Sequence, residues 1–252
     1  MKLGIVTYNI AADWDLETII TNCEKLGLGG VELRTTHAHG VELELSAAER
    51  AEVKARFAGS AVELVGLGSV YEFQSPDADE LKSNIEGTKA YVELARDVGA
   101  GGVKVRPNSF PEGVAHEATI EQIGRALSEL APYAAERGIE LRLEVHGRET
   151  SHPPYCAQML EIAGHPNAKA CWNCNGTDID ESGSIDAHFE MISKHLGLVH
   201  LHDLTADYPY RRLIELLKGI GYDGYCLAEI GGSSDGERVL AYFKALFEAL
   251  GG

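Results

Sequence analysis

The chain has 252 residues, 44% hydrophobic and 24% charged, with 22 basic residues against 39 acidic ones and a formal net charge of −17. The length suits a sizeable core and lies near that of one (β/α)8 barrel, while the acid excess disfavours nucleic acid or an anionic membrane as a partner without excluding a local basic pocket. No apolar run reaches ~18 residues, so no membrane span is expected; Met1-Lys2-Leu3-Gly4-Ile5-Val6 turns polar too early for a signal peptide, and a cytoplasmic location is the default expectation.

Short apolar runs alternate with helical patterns along the whole chain. Leu3–Tyr8 reads as a strand. A helix follows over Asp15–Leu26, with Leu16, Ile19, Ile20, Cys23 and Leu26 at helical spacing, Asp15 as N-cap and Gly27 as the stop. Gly30–Arg34 is the second strand, and Ser46–Phe57 a helix whose Ser46 and Glu49 have capping-box spacing. Ala61–Leu67 is a strand, Asp77–Val98 a long helix and Gly102–Arg106 the fourth strand. The second half keeps the rhythm: helix Thr119–Arg137, strand Glu140–His146, a helix opened by proline at Pro154–Ala163, and strand Ala168–Cys174. Helix Ile185–His195, strand Leu198–Leu204, helix Tyr210–Ile220, strand Gly224–Ile230 and helix Asp235–Leu250 complete it. Eight β-α units with no linker predict a single-domain α/β (β/α)8 barrel over residues 1–252. An open doubly wound sheet is the alternative, but the turn after its first strand, Thr7-Tyr8-Asn9-Ile10-Ala11-Ala12, lacks the expected glycines.

Side chains alternate along a strand, so parity separates helix-facing from barrel-facing residues. It sends Val31, Leu33, Val103, Val105, Leu141, Leu143, Val145, Val199 and Leu201 outward. It turns Glu32, Arg34, Lys104, Arg106, Arg142, Glu144, His146, His200, His202, Leu227 and Glu229 inward. So many ionisable groups inside a barrel are costly unless they pair or bind something, and polar residues at the C-terminal strand ends are where barrel enzymes keep their chemistry. A structural ion network of Glu144 with Arg142, Lys104 or Arg106 is the plainer explanation, and a lone buried histidine is commonly just a core residue. The convergence of Glu144, His200 and Glu229 on separate strand ends favours a metal or substrate role. Arg34, Lys104 and Arg106 suit a carboxylate, a phosphate or sugar hydroxyls, and equally suit neutralising the glutamates.

Cys171 and Cys174 have the spacing of a redox or zinc pair, but within a strand they point to opposite faces and no second pair exists. The five cysteines, an odd number in a large chain, also argue against a secreted disulfide framework. Asp203 reads as a residue that orients a neighbour or caps the next turn. His37, His39, His116, His152, His165, His188 and His195 are expected mostly on loops and helix surfaces, with His37 and His39 near enough to the second strand to reach the mouth of the site.

Three segments in order, Leu141-Arg142-Leu143-Glu144-Val145-His146-Gly147, Val199-His200-Leu201-His202-Asp203, and Gly221-Tyr222-Asp223-Gly224-Tyr225 running on to Ala228-Glu229, carry a family resemblance together with Gly29-Gly30-Val31-Glu32-Leu33-Arg34. They resemble the xylose isomerase-like TIM-barrel superfamily of sugar isomerases, epimerases and endonuclease IV-type enzymes, across nearly the whole chain. The resemblance implies a divalent metal (Mn, Mg, Co or Zn) held by Glu, Asp, His and Glu at strand ends. Here these positions fall on Glu144, Asn173, His200 and Glu229. Asn173 departs from the pattern: it offers a carbonyl oxygen but no charge, so the set carries −2 rather than −3 and a weaker hold on the cation is implied. Gly176 also replaces a histidine that often follows the aspartate.

By the same resemblance, Glu144 and Glu229 are the acid/base pair of a metal-assisted proton transfer beside a carbonyl. Arg34, Lys104, Arg106, His146 and His202 would hold a small-molecule sugar or polyol. Barrels of this kind often associate, so a homo-oligomer is allowed for. The alternatives are a dehydratase of the keto-inositol type on the same site and a non-catalytic sugar binder. A DNA-repair endonuclease is disfavoured by the charge and by missing ligands for further metals.

Overall fold

A computed structural model describes residues 1–252. Eight parallel strands close into one barrel in sequential order, β1 to β8, with β1 pairing β8. The strands are β1 (Lys2–Val6), β2 (Gly30–Arg34), β3 (Glu63–Glu72), β4 (Gly102–Arg106), β5 (Glu140–Glu144), β6 (Ala168–Trp172), β7 (Leu196–Leu201) and β8 (Tyr225–Ala228). The helices are α1 (Leu16–Leu26), α2 (Ala47–Ala58), α3 (Ala78–Val98), α4 (His116–Ala135), α5 (Pro153–Ala163), α6 (Asp186–Ser193), α7 (Tyr210–Gly219) and α8 (Gly236–Leu250). No helix is long and apolar enough to cross a membrane.

Local chemistry sets these boundaries. The Asp15 side chain accepts from the Thr18 N–H, and Gly27 closes α1 in the left-handed conformation. Ser46 and Glu49 form the reciprocal capping box. Asp77 is the cap of α3 rather than its first residue. Several expectations shift, and β5, β6, β7 and β8 end two or three residues earlier than expected, at Glu144, Trp172, Leu201 and Ala228. The first strand stops at Val6, because the Tyr8 N–H turns back onto the Val6 carbonyl. The fourth helix starts at His116, ahead of Thr119. The third strand runs on to Glu72, past the expected end at Leu67, where it meets Arg106 of β4 after a register shift.

The outward strand faces and the helices bury one large apolar cluster, in which Val103, Leu141, Leu143, Val199 and Leu201 are essentially inaccessible. Each such side chain stabilises the fold by about 1.5–3 kcal/mol relative to exposure. A second, small cluster fills the lower barrel: Val6, Val65, Cys171, Leu198, Tyr225 and Leu227. Beside it lies Arg142, whose guanidinium donates to the Val65 carbonyl at 2.9 Å and pairs with Glu140 at 2.8 Å. Glycines make that possible. A Cβ at Gly102 would stand 2.6 Å from the Arg142 Cζ, and one at Gly68 only 3.0 Å from a Glu32 oxygen. The inner wall of β3 and β4 is thus cleared for long charged side chains from the neighbouring strands.

Candidate active site

Parity and the closure of the barrel bring Glu144 of β5, His200 of β7 and Glu229, just past β8, to one point. One ligand atom from each lies within 4.8 Å of the others. The Nδ1 of His200 is 3.4 Å from Glu144 Oε1 and 3.4 Å from Glu229 Oε2, while its Nε2 faces Glu32 Oε1 at 3.4 Å. Lys104 Nζ forms an ion pair with Glu144 Oε1 at 2.8 Å and stands 3.8 Å from Glu32. Glu32 and His200 have no exposure at all, and Glu144 has 2%.

The electrostatics follow from that crowding. Burial opposes ionisation of Glu144, but the Lys104 ammonium outweighs it and holds the carboxyl well below the usual range. Burial likewise opposes the charge of Glu229, which His200 and His202 more than offset. Burial works against the charge of Lys104, and Glu144, Glu32 and Glu229 outweigh it and hold the ammonium above its ordinary range. Counting Glu32, Glu144 and Glu229 against Lys104, the formal charge of the floor is −2 with His200 neutral and −1 with His200 protonated, the form its neighbours favour against the opposing effect of burial. Both oxygens of Glu32, both ring nitrogens of His200 and the Asn173 carbonyl oxygen are buried without a hydrogen-bond partner. Two carboxylates, an imidazole and an amide oxygen in a net-negative floor match what a divalent cation takes. Glu32, behind Nε2, stands where a carboxylate fixes the tautomer of a ligating histidine.

Above this floor opens a cavity of about 350 Å³ lined by Tyr8, Arg34, Ser69, Lys104, Arg106, Glu144, His146, Asn173, Asn175, His202 and Glu229. Arg34, Lys104, Arg106, His146 and His202 therefore all share one cavity with Glu144, Asn173 and Glu229, and His200 lies beneath it. His202 Nε2 is 3.5 Å from Glu229. Arg106 is tied to Glu72 at 2.6 Å. Burial pulls the His146 imidazole below its ordinary range.

Sequence reasoning gave no role to Tyr8, Ser69, Asn175 or Glu72. Tyr8 and Ser69 are brought in by turn geometry and barrel curvature, for which no local pattern exists. Glu32 was turned inward by parity, but its level with His200 depends on barrel stagger. Two histidines depart from the expected surface positions. His39 is buried, with Nε2 2.8 Å from the Arg34 carbonyl and Nδ1 accepting from the Val41 N–H, and His188 is buried with Nδ1 2.9 Å from the Asp178 carbonyl. His37 reaches Arg34 rather than the cavity. Cys171 and Cys174 are both buried free thiols in separate apolar clusters, so they form no pair.

A buried acid supports the loop after β6. Asp178 Oδ2 accepts from the Asn175 N–H and from the Tyr208 hydroxyl, each at 2.8 Å, and Oδ1 has no partner. Burial pushes its carboxyl up to about 7. The native state then holds this proton more tightly than the unfolded chain. The resulting stability is complete below about pH 4 and is lost as the pH rises through 7. Asp178→Asn removes the titration. Its stability relative to the parent should therefore rise by a few kcal/mol from pH 4 to pH 8, on the order of 1.4 kcal/mol per pKa unit. Urea midpoints across that range check this; a gap that does not vary with pH would refute it.

Residues 20–246 match the family described as xylose isomerase-like TIM barrel. The chain belongs to that family. Members and relatives of solved structure share the fold over their whole length. D-psicose 3-epimerase from Clostridium cellulolyticum H10, solved with D-tagatose, superposes with a TM-score of 0.84 at 18% identity, covering 99% of each chain. The IOLI protein, solved with a zinc atom, gives 0.77 at 16% identity, over 100% of this chain and 96% of that one. The probable 3-DHS dehydratase AsbF of Bacillus anthracis gives 0.76 at 15% identity, over 100% and 99%. No curated protein matches the chain.

Proposed function

We propose that this xylose isomerase-like protein is a sugar or polyol isomerase or epimerase, with Glu144 and Glu229 as its acid/base pair. The observation that carries this reading is the placement of two carboxylates, Glu144 buried and Glu229 partly exposed, each 3.4 Å from the same ring nitrogen of His200, at the floor of a polar cavity. The fold likeness to D-psicose 3-epimerase supports it.

In this mechanism Arg34, Arg106, His146 and His202 hold the hydroxyls of a ketose against the floor. One carboxylate removes the proton next to the carbonyl; the other, ionised in the free protein, must take up a proton as the substrate enters and return it from its own side. Lys104, ion-paired with Glu144, holds that carboxylate in place. A divalent cation held by Glu144, Asn173, His200 and Glu229 would supply the Lewis acidity that polarises the carbonyl. Incubating ketoses and keto-inositols with the protein in D2O and following the carbon-bound proton by NMR tests the reading; no exchange into any of them would sink it.

A dehydratase is the second reading, favoured by the likeness to AsbF. It begins with the same proton abstraction and differs only in expelling a hydroxyl, so an enone product in the same assay would select it.

Asn173 should be the weak corner of the cation site. Asn173→Asp adds one charge beside an oxygen that now has no partner, and should tighten Mn2+ binding about tenfold or more in calorimetric titration, about 1.4 kcal/mol. Unchanged affinity would take residue 173 out of the ligand set.

A further inference from the structure

The cations of the cavity are not equivalent. Lys104 is neutralised by Glu144 at 2.8 Å and Arg106 by Glu72 at 2.6 Å. Arg34 has no carboxylate within 4.0 Å. Its guanidinium meets only the His37 Nε2 at 3.2 Å and, more distantly, the Tyr8 ring at 5.9 Å. In a chain with 39 acidic and 22 basic residues, a half-buried arginine in a ligand-sized cavity that lacks a counter-charge needs another account.

The backbone of Arg34 is fixed on both sides. Its N–H donates to Thr7 Oγ1 at 2.8 Å, and its carbonyl accepts from His39 at 2.8 Å. The side chain is therefore carried on a rigid strand end. Two further polar atoms on the same cavity's wall, Arg106 Nε and His146 Nδ1, are buried without partners. The cavity is thus polarised. Its floor is carboxylate-rich around His200, and its wall at the ends of β2, β4 and β5 carries nitrogen groups without carboxylate or hydrogen-bond partners. A sugar hydroxyl cannot neutralise a guanidinium, whereas a carboxylate or phosphate can accept two parallel hydrogen bonds from it.

We propose that the substrate is an anionic polyhydroxy ketone whose carboxylate or phosphate sits on Arg34, with the reacting carbonyl over Glu144 and Glu229. This inference rests on the isomerase reading for the ketone and on Arg34 for the anion, and the two are separable by experiment. The probes are gluconate, glucitol 6-phosphate and glucitol, which share one carbon skeleton, lack a ketone and so bind without turnover. Calorimetry on the wild-type protein should show gluconate or glucitol 6-phosphate binding at least about tenfold more tightly than glucitol, equivalent to about 1.4 kcal/mol. Which of the two anions shows the preference identifies the group.

Arg34→Gln should reduce the preference to about threefold or less, and Arg34→Lys should retain part of it; circular dichroism confirms that both variants are folded. Failure of both anions to bind more tightly than glucitol, or a preference undiminished in Arg34→Gln, would overturn the proposal. Deuterium exchange into neutral ketoses without any anion preference would leave the isomerase reading standing and remove this one. An Arg34-dependent anion preference in a protein that exchanges no ketose would do the reverse.

Discussion

Replacing Glu229 by glutamine should lower the rate of solvent deuterium incorporation into the true substrate by about 10²–10⁴-fold, the usual worth of a positioned acid or base. Glu144→Gln should do the same. The amide keeps the shape of the side chain and removes its capacity to take a proton, so substrate binding should change far less than turnover. The two variants should differ in stability. Glu229 keeps 11% side-chain exposure and its neighbours are histidines. Glu144 is the buried counter-charge of Lys104 at 2.8 Å, so its variant should also unfold at a lower temperature. Rates measured on samples shown by calorimetry to be folded separate the two effects. Full exchange in either variant removes that residue from the mechanism.

The largest effect on stability is expected at Lys104. Lys104→Met leaves Glu144 and Glu32 buried with their common cation gone. Removing one partner of a buried pair typically costs about 3–5 kcal/mol, which in a chain of this size lowers the melting temperature on the order of 10 °C. Lys104→Met combined with Glu144→Gln should recover much of that loss, because the second change removes the stranded charge. The cycle of single and double variants, followed by thermal melts without added metal, measures the coupling. A Lys104→Met protein as stable as its parent would show that Lys104 does not balance the floor.

The fold was legible because its signals are local and repeated. Asp15, the Ser46–Glu49 box and Gly27 mark helix ends by chemistry that acts within four residues. Alternation in Val103-Lys104-Val105-Arg106 and Leu141-Arg142-Leu143-Glu144 separates the two faces of a strand. The same alternation turned Glu144, His200 and Glu229 towards one another, and barrel closure made the three meet. What was not legible depends on distances between strands remote in sequence. Whether Lys104 pairs with Glu144, whether Glu32 stands level with His200, and whether Arg34 lacks a partner are all set by stagger. The extension of β3 to Glu72, which neutralises Arg106 and so singles out Arg34, follows from a register shift near the rim that no periodicity announces.

The packing beneath the site bears on where hydrogen comes from during turnover. Arg142, Tyr225 and the small apolar cluster seal the barrel from below. A ligand seated on Arg34 and the floor, as proposed, would cover the mouth of the cavity above this packing. With the ligand in place, Glu144 and Glu229 should then exchange hydrogen with bulk water more slowly than in the free protein. The hydrogen inventory of each cycle is then largely what the two carboxyls and Lys104 hold when the ligand seats. Isotope lost from the substrate in a single turnover reports the size of that store, and isotope lost over many turnovers reports how often the mouth is uncovered.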